Sequence, residues 1–219
     1  MTHLAPIPLI ALAVFLLIRA EFRSDRRQIY VFKPLSTLLV IGVAALSLST
    51  PGVRVGYTAG VLAGLILSLG GDVALIFPSA KAFQAGLVLF LLAHVAYAAT
   101  FTLFNGFYPG DLISGGVLLG VAVVVYRYLE PSLGKMKGPV IAYMAIICLM
   151  VNRAMSTVFG TTFTRTQATL MSAGAFLFWI SDLILAVNRF GRPLKYHRIS
   201  LAFYYGGQLL IALSPAFFE

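Results

Sequence analysis

Four ionisable side chains stand inside stretches that are otherwise apolar: Asp72, His94, Arg153 and Asp182. An ionisable group at the centre of a membrane helix costs about 2.5–3.5 kcal/mol on insertion scales, so such groups face an interior and serve a purpose. The aspartates are the centre of the chemistry. They lie 110 residues apart, in Gly71-Asp72-Val73-Ala74-Leu75 and Ser181-Asp182-Leu183-Ile184-Leu185. Two carboxyls in a low-dielectric site divide their roles, because burial and mutual repulsion favour one protonated and one ionised. The protonated one can act as general acid, and the other can orient a water or stabilise a cation. Glycosidases use that division against an oxocarbenium-like transition state.

Other polar residues share the depth of this pair. His94 follows Asp72 by 22 residues, and Tyr204 follows Asp182 by 22. Phe90, His94, Tyr97 and Phe101 form one aromatic stripe around the histidine, and Tyr204 and Gln208 are one turn apart. Tyr143 lies in the sixth apolar stretch and Lys33 at the inner end of the second. Arg189 is two turns beyond Asp182 on the same face, where it could meet a phosphate at the membrane surface. Gly64, Ser68 and Asp72 step by four, giving a narrow face that lets a neighbouring helix approach closely. The tyrosine hydroxyls equally suit packing, each finding a carbonyl. Arg153 follows Asn152 in the outer half of its stretch and reads as a snorkelling charge or a structural pair. Catalytic zinc takes three protein ligands, and His94 is the only histidine within an apolar stretch. Cys148 is alone, which excludes an internal disulfide and a cysteine-based metal site.

The elements that must hold these groups follow from composition. The chain has 219 residues, 60% hydrophobic and 11% charged, with a mean hydropathy of +0.94. A soluble domain carries about 25% charged residues, so a water-soluble or disordered chain is excluded. Eight stretches reach the length of roughly 17–25 residues that crosses a bilayer. They are 4–20, 31–49, 55–76, 82–104, 112–129, 139–158, 166–188 and 199–218. Pro51-Gly52, Pro78, Pro109-Gly110, Pro131, Gly138-Pro139, Gly160 and Pro193 punctuate the connections. The expected fold is an all-α integral membrane bundle of eight transmembrane helices, one domain over 1–219. Its first stretch reads as a retained helix, because Met1-Thr2-His3 lacks the basic start of a signal peptide.

Charge sets the orientation. With both ends outside, the inner connections hold thirteen of the sixteen Lys and Arg, and the outer ones hold Arg54 and Arg165. The net charge of +9 is then topology plus attraction to anionic lipid headgroups, and nucleic acid is not needed to explain it. The spacing of the two aspartates fits a parallel four-plus-four repeat. Three chemistries stay open on these residues: a two-carboxylate hydrolase, a proton-coupled transporter, and an intramembrane aspartyl protease. The protease fits least, because Leu69-Gly70-Gly71-Asp72 puts its glycines at the wrong offsets and no Pro-Ala-Leu run lies near the C-terminus.

Gly71-Asp72 followed by Phe83, Gly86-Leu87, Phe90, His94 and Tyr97 resembles the first signature of the YhhN family of membrane lysoplasmalogenases. Gly174-Ala175-Phe176-Leu177-Phe178, Ser181-Asp182, Leu185-Ala186, Arg189-Phe190 and Tyr204 through Ile211 resemble the second, and Lys33-Pro34 also fits. Gly207 departs from it, standing where alanine is expected. The resemblance implies hydrolysis of the vinyl ether bond of lysoplasmalogens, releasing a fatty aldehyde and glycerophosphoethanolamine or glycerophosphocholine. For that reaction the residues themselves offer Asp72 and Asp182 as the acid/base pair, with neither assigned as the acid. His94, Tyr97, Tyr143, Tyr204 and Gln208 would bind or orient, and Lys33 and Arg189 would hold the phosphate. The implied partners are a lysophospholipid and the bilayer, with no cofactor. The membrane is a bacterial plasma membrane or an endoplasmic reticulum, with the site toward its cytosolic half.

Overall fold

The computed structural model describes residues 2–218. Eight α-helices follow one another among them: α1 (Ile7–Arg23), α2 (Arg26–Leu46), α3 (Val55–Ile76), α4 (Ala80–Leu103), α5 (Gly110–Leu133), α6 (Lys137–Ser156), α7 (Arg165–Phe190) and α8 (Ser200–Leu213). Six helical stretches are long and apolar enough to cross a membrane: Arg26–Ser49, Val55–Ile76, Ala80–Leu103, Gly110–Ser156, Arg165–Phe190 and His197–Phe217. The fourth contains both α5 and α6, and α1 is 17 residues long. The chain is a multi-pass helical membrane protein. Its outward surface is correspondingly apolar, with Leu103, Phe107 and Leu112 among the most exposed side chains.

Local chemistry explains the helix ends. Asp25 caps α2, accepting from the Gln28 backbone N–H at 3.2 Å, and Ser79 caps α4 by accepting from Ala82. Thr164 and Gln167 form a reciprocal capping box at the start of α7. The largest departures from the expected boundaries are at three helix ends. The second helix begins at Arg26 rather than 31 and carries Pro34 in its interior, and the fifth runs past Pro131 to Leu133. A proline removes a single N–H, and with no water competing in a membrane the remaining helix bonds carry the helix on. The turn from α5 comes at Gly134, whose φ of 51° suits a residue without Cβ. The last stretch is α-helical only to Leu213, and Pro215 sits in the short 3-10 turn Ser214–Phe217 that follows.

The closest helix pairs are α3 with α4 and α7 with α8, and glycine makes both possible. A Cβ at Gly64 would collide with the Tyr97 ring, and one at Gly71 would meet Phe90 at 2.7 Å. Between α7 and α8, a Cβ at Gly174 would lie 2.8 Å from the Gly207 carbonyl oxygen, and one at Gly207 would lie 2.6 Å from that of Gly174. Gly207, the departure from the expected alanine, therefore lets the two backbones touch. These contacts aim Asp72 and Asp182 into the bundle.

A polar cluster ties α4, α5 and α6 together. Arg153, buried on α6, donates from Nη1 to Asp111 Oδ2 at 2.8 Å, from Nε to Thr102 and from Nη2 to the Gly106 carbonyl. Its guanidinium also lies over the Phe107 ring at 4.2 Å. Of the two readings open for Arg153, a structural pair is the one observed. Asp111, expected in a loop, is instead buried in the first turn of α5, where that guanidinium neutralises it.

Candidate active site

Asp72 is gripped by α2 and α8. Thr37 Oγ1 and the Tyr204 hydroxyl each donate to its Oδ2 at 2.6 Å, and Lys33 Nζ stands 4.0 Å from its Oδ1. Tyr204 in turn accepts from Gln208 Nε2 at 3.3 Å, and the Tyr97 hydroxyl donates to Gln208 Oε1 at 2.8 Å. The Tyr205 hydroxyl donates to the Lys33 carbonyl at 3.0 Å. Every member of this chain is buried, and Asp72 keeps 2% exposure. Buried carboxylate, ammonium and hydroxyls satisfy one another here, as a low-dielectric interior demands.

Asp182 has a different setting. The Tyr143 hydroxyl of α6 donates to its Oδ2 at 2.5 Å, and His94 Nε2 of α4 lies 3.7 Å from the same oxygen. His94 is fully buried, edge-on to the Tyr143 and Phe178 rings, and Nε2 has no hydrogen-bond partner. The Asp182 side chain retains 14% exposure and lines an open groove. Leu87, Val140, Ile147, Cys148 and Trp179 make that groove apolar, and Asp182 and Arg189 are its charged lining residues among those described. The Arg189 guanidinium sits over the Phe83 ring at 4.6 Å.

The two settings correspond. Lys33 and Tyr143, Asp72 and Asp182, and His94 and Tyr204 are each 110 residues apart. The partners are crossed. Asp72 of the first half is bonded by Tyr204 of the second, and Asp182 of the second half faces His94 of the first. Aromatic rings stand between the partner sets: Phe178 lies 4.6 Å from the His94 ring and 5.1 Å from that of Tyr204, centroid to centroid. Among the described residues the two carboxylates share no hydrogen-bond partner.

The structure thus gathers Lys33, Asp72, Tyr97, Tyr204 and Gln208 in one cluster, and Tyr143, Asp182 and Arg189 at the groove, with the fully buried His94 3.7 Å from Asp182. Lys33 and Arg189, expected to hold a phosphate together, are placed apart. The buried ammonium of Lys33 turns to Asp72, while Arg189 lines the groove. Sequence reasoning missed Thr37, and it met Tyr205 and Phe178 in the second signature without giving either a place in the site. Thr37 carries a faint signal, one turn after Lys33 on the same face, and Lys33/Tyr143 repeats the aspartate spacing. No group of three His, Cys, Asp or Glu side chains converges as a metal site requires among the described residues.

Comparison with known proteins then decides the lineage. The YhhN family model matches residues 28–215. The chain belongs to the YhhN family. All nine residues singled out from the sequence, Lys33 through Gln208, fall within the matched span. Lysoplasmalogenase TMEM86A of Homo sapiens is 35% identical over 158 residues, covering 70% of this chain and 64% of that protein. Lysoplasmalogenase TMEM86B of Homo sapiens is 35% identical over 161 residues, covering 73% of this chain and 64% of its own length. This YhhN family member therefore spans somewhat less than two thirds of the curated lysoplasmalogenases it matches. The uncharacterized membrane protein YhhN of Escherichia coli O157:H7 is 28% identical over 212 residues, 94% of this chain and 95% of that one. No solved structure matches.

Proposed function

We propose that this protein hydrolyses the vinyl ether bond of lysoplasmalogens, giving a fatty aldehyde and glycerophosphoethanolamine or glycerophosphocholine. One observation carries the reading: Asp182, with one oxygen held by Tyr143, is the carboxyl group that lines an apolar groove whose other charged lining residue is Arg189. The lysoplasmalogenase relatives support the same substrate. A single alkenyl chain lies along the groove, and Arg189 meets the headgroup phosphate at its end.

The two aspartates divide the chemistry. Asp182 transfers its proton to the alkene carbon β to the ether oxygen; the π pair forms the new C–H bond and leaves an oxocarbenium ion. Water adds to the cationic carbon and returns a proton to the Asp182 carboxylate. The hemiacetal then breaks its bond to the glycerol oxygen, which takes the hydroxyl proton, and the aldehyde departs. His94, with its free Nε2 beside Asp182, orients the water. Asp72 is the second carboxylate, paired with Lys33, and its charge behind the Phe178–Tyr204 contact favours cation in the groove. Tyr97 and Gln208 fix Tyr204 against it.

The frame proposed for this chemistry is an eight-span bundle with both termini outside and two parallel four-helix halves. The crossed Lys33–Asp72–Tyr204 and Tyr143–Asp182–His94 sets are the internal support for the repeat. The active site lies toward the cytosolic half of the membrane. Purified full-length protein is expected to release aldehyde from lysoplasmenyl-ethanolamine or -choline in detergent with added lipid. Well-folded protein that releases none from either headgroup would refute the assignment.

A further inference from the structure

A second recess opens at the same end of the bundle, sharing only Leu75 of α3 with the groove among the described residues. Its walls include Glu21 and Ser24 at the end of α1, Arg26 at the start of α2, and Arg198 ahead of α8, over a floor of Ile29 and Ile76. Two guanidinium groups thus meet one carboxylate. Arg26 is held in place by donating from Nη1 to the Ile76 carbonyl at 3.1 Å, a contact that orients its charge without neutralising it. Arg198 Nε stands 3.4 Å from Glu21 Oε2, yet it is shut off from solvent and makes no hydrogen bond. The Arg198 side chain keeps 27% exposure, so the rest of its guanidinium is open to an anion that brings oxygens of its own. Planar guanidinium forks match the oxygens of a phosphate ester, and an uncompensated positive charge at a basic membrane face selects for one.

We infer that the recess between Arg26 and Arg198 is a phosphate-ester site separate from the groove at Asp182, filled by an anionic lipid headgroup or a soluble phosphate. The floor residues place it one turn from the Lys33–Asp72 pair, since Ile29 precedes Lys33 by four and Ile76 follows Asp72 by four. Occupancy therefore braces the inner ends of α1, α2 and α3 around that pair. The inference does not depend on vinyl ether hydrolysis, and its test reads binding.

Full-length protein in detergent is titrated with inorganic phosphate by calorimetry, and protein in nanodiscs is compared in phosphatidylglycerol and phosphatidylcholine by thermal midpoint. Saturable phosphate binding identifies a soluble ligand, and a higher midpoint in phosphatidylglycerol alone identifies a headgroup. Whichever signal is seen is expected to weaken about tenfold or more in Arg26→Gln and Arg198→Gln, the scale of one charge-assisted hydrogen-bonding partner. Glu21→Gln is expected to strengthen it, a gain that misfolding cannot mimic. Neither signal in the parent, a signal indifferent to Arg26 and Arg198, or a loss in Glu21→Gln would overturn the site.

Discussion

At the scale of the residue, the proposed roles separate by the kinetic parameter each side chain should move. Asp182→Asn keeps the shape and the Tyr143 contact but has no proton to give. A positioned general acid contributes about 10²–10⁴-fold, and aldehyde release should fall by that range in protein whose thermal midpoint is unchanged. Arg189→Gln should raise KM with kcat nearly constant, because a headgroup contact is present in ground and transition states alike; an equal fall in kcat and kcat/KM would assign Arg189 to the chemistry instead. The aspartates, His94 and Arg189 were legible because charge is rare in apolar sequence. Their division was not. That Lys33 turns to Asp72 while Tyr143 bonds Asp182 depends on which helices meet, and Thr37 is an ordinary membrane residue until α3 places a carboxylate 2.6 Å from its hydroxyl.

Among elements, the helix contacts make the site, and two of them yield measurable consequences. Gly174→Ala drives a methyl group against the Gly207 carbonyl, and overpacking of this kind costs about 1–3 kcal/mol. A lowered thermal midpoint with parallel loss of activity is expected; an unchanged midpoint would mean that α7 and α8 are not so closely apposed. Arg153→Met leaves Asp111 buried without its cation, a loss of about 3–5 kcal/mol for a broken buried pair, and pairing it with Asp111→Leu should restore most of the stability. No recovery in the double variant would show that the guanidinium matters through Thr102 and Gly106 rather than through charge. The helices themselves were plain from apolar run length. What hydropathy could not give were the ends, because Pro131 looks like a break in sequence yet lies within α5, and α2 starts at Arg26, ahead of its apolar run. The same holds for Asp111, whose burial depends on an arginine 42 residues away.

For the molecule as a whole, the proposed mechanism requires an apolar groove, a proton donor on its wall and a basic face turned to the cytosol. The orientation is tested with Cys148→Ser protein carrying one new cysteine: Arg165→Cys should react with an impermeant thiol reagent on intact cells, and Lys81→Cys only after lysis. Labelling of both from outside would break the eight-span arrangement. The central claim is narrower, that Asp182 delivers a proton to carbon. Its most direct measurement is hydrolysis of lysoplasmenyl-ethanolamine in D₂O by parent and Asp182→Asn protein, with the aldehyde reduced as it forms and analysed by mass. One deuterium is expected at the carbon next to the former aldehyde carbon in the parent product, and at most traces of product from the variant. Aldehyde without that deuterium, or undiminished release from Asp182→Asn, would contradict it.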